Sequence, residues 1–146
     1  MTTLATKTEA NVQQAVPFFM VTDIEASLRF YIGGLGFTKT IDWVPNGRLE
    51  WCRLEHGDAA LMLQEYRSSQ PHSNIPTMQR GVGVSICFVC TDAIALYREF
   101  TSRGVTTKRP FVGNRMWVVS VVDPDGYRLD FESPTDAPEE SELPAG

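Results

Sequence analysis

The residues of this chain whose types could support catalysis or metal binding are few: two histidines, three cysteines and one acidic residue set inside an apolar strand pattern. That acid is Asp130, in "VVDPDGYRLDFES" (121–133). Pro124 fixes φ and lacks a donor, and Gly126 tolerates positive φ, so "DPDG" is a tight turn between two strands. On the second strand a period of two sets Tyr127, Leu129 and Phe131 on one face and Arg128 and Asp130 on the other. A carboxylate in that position could hold a cationic or hydroxylated ligand group, or pair with Arg53 or Arg115 across a site. Alternatively it pairs with Arg128 and is solvated.

The remaining candidates are poorly placed for chemistry. His56 closes "LEHGD", a hairpin turn, and His72 lies in "SQPHSN", so neither sits mid-strand, where a sheet lines a site. Cys87 and Cys90 spell "CFVC", but residues three apart on a strand point to opposite faces, so they read with Cys52 as small apolar thiols. No G-x-S-x-G elbow, P-loop or strand-following G-x-G-x-x-G is present, which leaves no nucleophile to assign and no cradle for coenzyme phosphates.

The elements that must position these residues occur twice. "VPFFMV" (16–21) is a strand and "TDIEASLRFYIGGLGF" a helix with its glycine exit. "FTKTIDWV" (37–44), "RLEWCRLEH" (48–56) and "AALMLQEY" (59–66) are strands joined by "PNG" and "GD" turns. After a polar linker or flap at 67–81 the order repeats: "VGVSICFVC" (82–90), the helix "TDAIALYREFTSRG" (91–104), then "VTTKRPFV", "NRMWVVSVV" and "YRLDFES". The second helical segment is one residue shorter between its Thr-Asp start and its Gly exit. The fold class is therefore α+β, two tandem βαβββ modules at 16–66 and 82–133 between a polar arm (1–15) and an acidic, Pro-containing tail (134–146). The tail is expected to be disordered or a surface strap. Packed edge to edge, the mixed sheets would form a partly open barrel or trough with the helices outside and a small-molecule site in the concavity.

Composition sets the class of partner. A net charge of −5 with no basic stripe argues against nucleic acid. The first fifteen residues lack the apolar core of a signal peptide, and no apolar run is long enough to span a membrane, so a cytoplasmic protein is expected. Open sheet edges need covering, which favours a homodimer.

The segments "VTDIEASLRFYIGGLGF" and "DPDGYRLDFES" resemble the opening and closing motifs of the vicinal oxygen chelate superfamily, the glyoxalase, bleomycin-resistance and extradiol-dioxygenase group, over roughly residues 15 to 133. In metal-dependent relatives four side chains, usually His, Gln or Glu, reach into the trough. The resemblance sets them here at Val16, Met62, Ile86 and Asp130, three of which offer no good ligand. A one-residue shift brings in only Ala15, Pro17, Ser85 or Cys87. The resemblance then implies the bleomycin-resistance branch: no metal, no cofactor, no catalytic residues, and sequestration of an apolar or aromatic ligand. The alternative is a glyoxalase-like lyase or extradiol ring-cleaving dioxygenase. It would use divalent Fe, Mn, Ni or Zn on an atypical site of Asp130, Gln64, Glu65 or His72, with the 67–81 linker folded inward.

Strand parity predicts the lining. It comprises Val16, Phe18 and Met20, then Met62 and Gln64, then Ile86, Phe88 and Cys90, with Asp130 as the charged member. Trp43, Trp51 and Trp117 are expected at the ends and walls, where they could sandwich a planar ligand.

Overall fold

The computed structural model describes residues 10–67 and 79–145. His72 and the middle of the 67–81 linker lie outside the described residues. The first module runs β1 (Phe18–Val21), α1 (Ile24–Leu28) continuing into a π-helical turn (Arg29–Gly34), β2 (Thr38–Trp43), β3 (Trp51–His56) and β4 (Ala59–Glu65). The second runs β5 (Ser85–Val89), α2 (Ala93–Ser102), β6 (Phe111–Gly113), β7 (Met116–Val122) and β8 (Arg128–Pro134). Among the described residues these strands make two four-stranded mixed sheets, ordered β1-β4-β3-β2 and β5-β8-β7-β6, and no closed barrel. The fold is the expected α+β pair of tandem modules.

Both helices start by the same chemistry. Asp23 and Asp92 take extended backbone angles, and their carboxylates accept the Ala26 and Ala95 N–H groups at 3.2 and 3.0 Å. The first helical N–H of each is then satisfied from the last strand of its own module: Ile24 donates to Glu65 Oε2 at 2.9 Å and Ala93 to Ser133 Oγ at 2.8 Å. These anchors and the strand registers match the modules residue by residue. Phe19 corresponds to Phe88, Met20 to Val89, Met62 to Asp130, His56 to Asp123 and Ala59 to Tyr127. The extra residue of the first helical segment is absorbed by the π-helical turn, where Leu35 N–H reaches back five residues to Phe30 C=O at 2.9 Å.

The helix-facing sides of both sheets meet in one core. Phe19, Leu61 and Leu63 from the first sheet join Phe88, Leu129 and Phe131 from the second, with Tyr31 and Phe100 fully buried beneath the helices. Residues 105–110 form no strand, contrary to the expectation for "VTTKRPFV", and only Phe111–Gly113 pair. Pro110 has no N–H to give a ladder, and the preceding polar run has no apolar alternation to bury. The tail is a strap rather than a free end. Val112 N–H donates to Ser141 C=O, Glu140 N–H to Val112 C=O and Leu143 N–H to Pro110 C=O, each at 2.9 Å, which covers the open edge of β6. Among the described residues no helix is long and apolar enough to cross a membrane.

Candidate functional site

Each sheet has a second face, turned away from the helices. On the first sheet, register places two rows there: Phe18, Met62, Arg53 and Ile41 side by side, and next to them Met20, Gln64, Trp51 and Trp43. Alternation explains the division, since Phe19, Val21, Cys52, Leu54, Leu61 and Leu63 take the buried positions between them. Among the described residues nothing packs fully over these rows. Trp43 is 49% exposed, Ile41 53% and Phe18 46%, an exposed, largely apolar surface with Arg53 and Gln64 as its polar members. Five of the expected ligand-binding residues, Phe18, Trp43, Trp51, Met62 and Gln64, thus share one face.

The corresponding face of the second sheet is more polar. Its middle row is Cys87, Asp130 and Ser120, beside a row of Val89, Glu132, Val118 and Phe111. Asp130 is on this face but is neither solvated nor paired with Arg53 or Arg115. It is 6% exposed and accepts the hydroxyls of Ser85, in a short contact with Oδ2, and of Ser120, at 2.5 Å from Oδ1. Arg128 Nε stands 3.5 Å away at the rim. Arg53 instead lies 3.6 Å from Glu55, and Arg115 sits in the β6–β7 turn, where its N–H donates to Glu139. Cys87 donates to Glu132 Oε2 at 3.0 Å. Burial, then that hydrogen bond, push its thiol up to about 12, so it is a protonated donor and not a thiolate nucleophile at neutral pH.

Two expected site residues belong to the other side. Phe88 is 9% exposed and stacks on Phe131, centroids 4.9 Å apart, in the helix-facing core, with Ile86 on the same side. Trp117 pairs with Ser133 and also packs against the core, away from the Trp43 and Trp51 face. The β5 alternation sets Ser85, Cys87 and Val89 against Ile86 and Phe88, and the serine marks the first set as the less apolar one. Spacing gives the same answer. Seven residues before the helix-capping aspartate stand Val16 in one module and Ser85 in the other, whereas Ile86 is six before. Ser85 and Ser120, which hold Asp130, were not anticipated.

Among the described residues the donor set on these faces does not make a site for a divalent metal. The positions the fold would use carry Val16, Met62, Ser85 and Asp130, and the single carboxylate is already held by two hydroxyls. Glu65, the nearest alternative acid on β4, is on the helix side, capping α1 and paired with Arg48. Among the described residues no three His, Cys, Asp or Glu side chains converge.

The "DPDG" turn has a different task from Asp130. Asp123 Oδ1 accepts the N–H groups of Asp125 and Tyr127, both at 2.9 Å, and its Oδ2 accepts the Tyr31 hydroxyl at 2.8 Å. Asp125 accepts the backbone N–H and hydroxyl of Thr22 at 3.0 and 2.8 Å. Tyr127 stacks on Phe19 at 4.3 Å and donates to Met20 C=O at 2.8 Å. Burial, reinforced by the Asp123 charge, raises the Tyr31 phenol well above its usual range. Burial likewise lifts the Asp123 carboxyl, against its hydrogen bonds, and pushes Tyr127 up to about 12. The turn therefore locks the second module onto the strand and helix start of the first.

The sequence model of the glyoxalase/bleomycin resistance protein/dioxygenase superfamily matches residues 13–131. Among solved structures, the chain is similar to a glyoxalase/bleomycin resistance protein/dioxygenase from Nocardioides, at 15% identity and TM-score 0.63, covering 94% of this chain and 95% of that one. It is similar to TnmS3, an antibiotic binding protein from Streptomyces sp. CB03234, at 23% identity and TM-score 0.61, covering 84% and 97%. It is also similar to a bleomycin-binding protein complexed with bleomycin, at 22% identity and TM-score 0.62, covering 85% and 100%. No curated protein matches the sequence significantly.

Proposed function

The chain belongs to the glyoxalase/bleomycin resistance protein/dioxygenase superfamily, and from that premise we propose that it is a metal-free protein that binds a planar apolar or aromatic small molecule on the open face of its first sheet. The observation that carries this reading is the Trp43–Trp51 cross-strand pair, with Trp43 exposed and Trp51 half-buried, flanked by Phe18 and Met62. Stacking on the two indoles supplies affinity, and Gln64, in the same row, supplies a donor and an acceptor to orient the ligand. Two similar folds bind an antibiotic and bleomycin, which supports the ligand class. A second copy of the chain would close the open faces and bring the Asp130 side of one sheet toward a bound molecule, favouring a cationic or hydroxylated substituent on it.

The test is a panel of planar aromatic compounds read by tryptophan fluorescence and thermal shift, with Trp51→Ala as control. Saturable quenching that disappears in the variant is expected. A panel that neither quenches nor stabilises the protein would overturn the binding reading. Elemental analysis of protein expressed with added iron, manganese, nickel and zinc should find no stoichiometric metal, and finding one would return the weight to a metal-dependent lyase or dioxygenase.

A further inference from the structure

The two modules meet at two equivalent junctions, and among the described residues only one is filled. At the first, the Tyr127 ring stacks on Phe19 with its plane tilted by 8°, and its hydroxyl donates to Met20 C=O. At the second, the residue in the position of Tyr127 is Ala59, facing Phe88 in the position of Phe19. A cavity of about 450 Å³ lies there, within the range of small-molecule sites. It is lined by the buried rings of Phe37, Phe88 and Phe131 and, on its exposed side, by His56, Asp58 and Asp92. Asp92 already accepts the Ala95 N–H.

The acceptor used by Tyr127 also has a counterpart. In the β5–β8 ladder the Cys90 N–H bonds Glu132 C=O, so Val89, one residue back and equivalent to Met20, turns its carbonyl away from β8. Val89 lines the cavity. An aromatic lining, an outward carbonyl and carboxylates on the exposed side are what a phenol with a cationic arm would need.

We propose that this cavity, separate from the open sheet face, is a second binding site that takes a small phenol bearing an ammonium group. The ring occupies the place that Tyr127 fills at the other junction, the hydroxyl donates to Val89 C=O, and the ammonium lies against Asp58.

Tyramine is the probe, titrated by calorimetry and followed by amide chemical shifts. Saturable one-to-one binding centred on Ala59, Phe88 and Val89 is expected. Ala59→Tyr, which supplies the missing ring, should weaken it by about tenfold or more. Asp58→Asn, at an exposed hairpin position, should weaken tyramine several-fold while leaving p-cresol, the uncharged phenol, unchanged, and this variant does not depend on how Ala59→Tyr folds. Trp51→Ala should bind tyramine as the parent does, which separates this site from the open face. No saturable binding up to about 10 mM, or binding lost in Trp51→Ala and retained in Ala59→Tyr, would overturn the proposal.

Discussion

The junction built by the "DPDG" turn and the junction built by the "HGD" turn occupy equivalent places in the two modules and have opposite character. At the first, Asp123, Asp125 and Tyr127 satisfy groups on Thr22, Met20 and Tyr31. At the second, the equivalents of Asp123, Tyr127 and Tyr31 are His56, Ala59 and Phe100, and a cavity stands in place of the packed ring. A repeat needs only one firm joint to fix its halves, because the shared core already holds them together. The other joint is released from that duty and left open. The family's opening and closing motifs thus belong to one device: the Thr22 and Tyr31 positions of the first touch the aspartates of the last.

Disabling the firm joint is the strongest way to break the comparison. Asp123 is 4% exposed and takes three donors, so Asp123→Ala leaves them buried and unpaired, an expected loss on the order of 3 kcal/mol in urea unfolding. His56→Ala, at the equivalent but exposed position, should stay within about 0.5 kcal/mol. Equal effects would show that the two joints carry the same load.

Tyr31→Phe removes one of those donors and should cost roughly 1.5 kcal/mol at neutral pH. The pH dependence sharpens the assignment. The folded phenol titrates above its unfolded range near about 10, so the unfolded chain releases its proton first as pH rises. Stability is then full below that pH and falls above it, a decline that Tyr127 adds to in the same direction. Unfolding midpoints at pH 9, 10 and 11 should drop less steeply in Tyr31→Phe than in the parent; an unchanged slope would contradict the buried phenol. Tyr127→Phe keeps the stack and loses only the bond to Met20 C=O, an expected cost of about 1 kcal/mol.

What the sequence discloses follows from where its signals are redundant. The Thr-Asp helix starts, the glycine exits and the two-residue hairpin each have one structural solution, so the βαβββ repeat was legible, as was the shared face of Phe18, Met62 and Gln64; the faces of Trp43 and Trp51 depend on the β2–β3 register, which the sequence does not fix. The face of β5 was misassigned although Ser85 breaks one of its two alternations, because the motif placement set Ile86, six residues before Asp92, on the open side where the first module counts seven. Asp130 was recognised as pointing away from the core. Its partners were not, since Ser85 and Ser120 reach it only through ladder registers that no local pattern reveals. The vacancy at Ala59 becomes visible only when the modules are matched residue by residue.

Filling that vacancy has the smallest expected effect on stability and the most direct bearing on the asymmetry. Ala59→Tyr would add a ring opposite Phe88, within reach of the outward Val89 carbonyl, on a strand where Tyr is favoured over Ala. An aromatic pair of this kind contributes roughly 0.5–1.5 kcal/mol, and ordering the new side chain offsets part of it, so a gain near the lower end is expected. If thermal unfolding shows that gain, the open joint could have been closed without penalty to the fold, and folding does not explain why an alanine stands there. If the variant is destabilised, the cavity walls do not accept a ring in the Tyr127 pose, and the equivalence of the two junctions ends at the backbone.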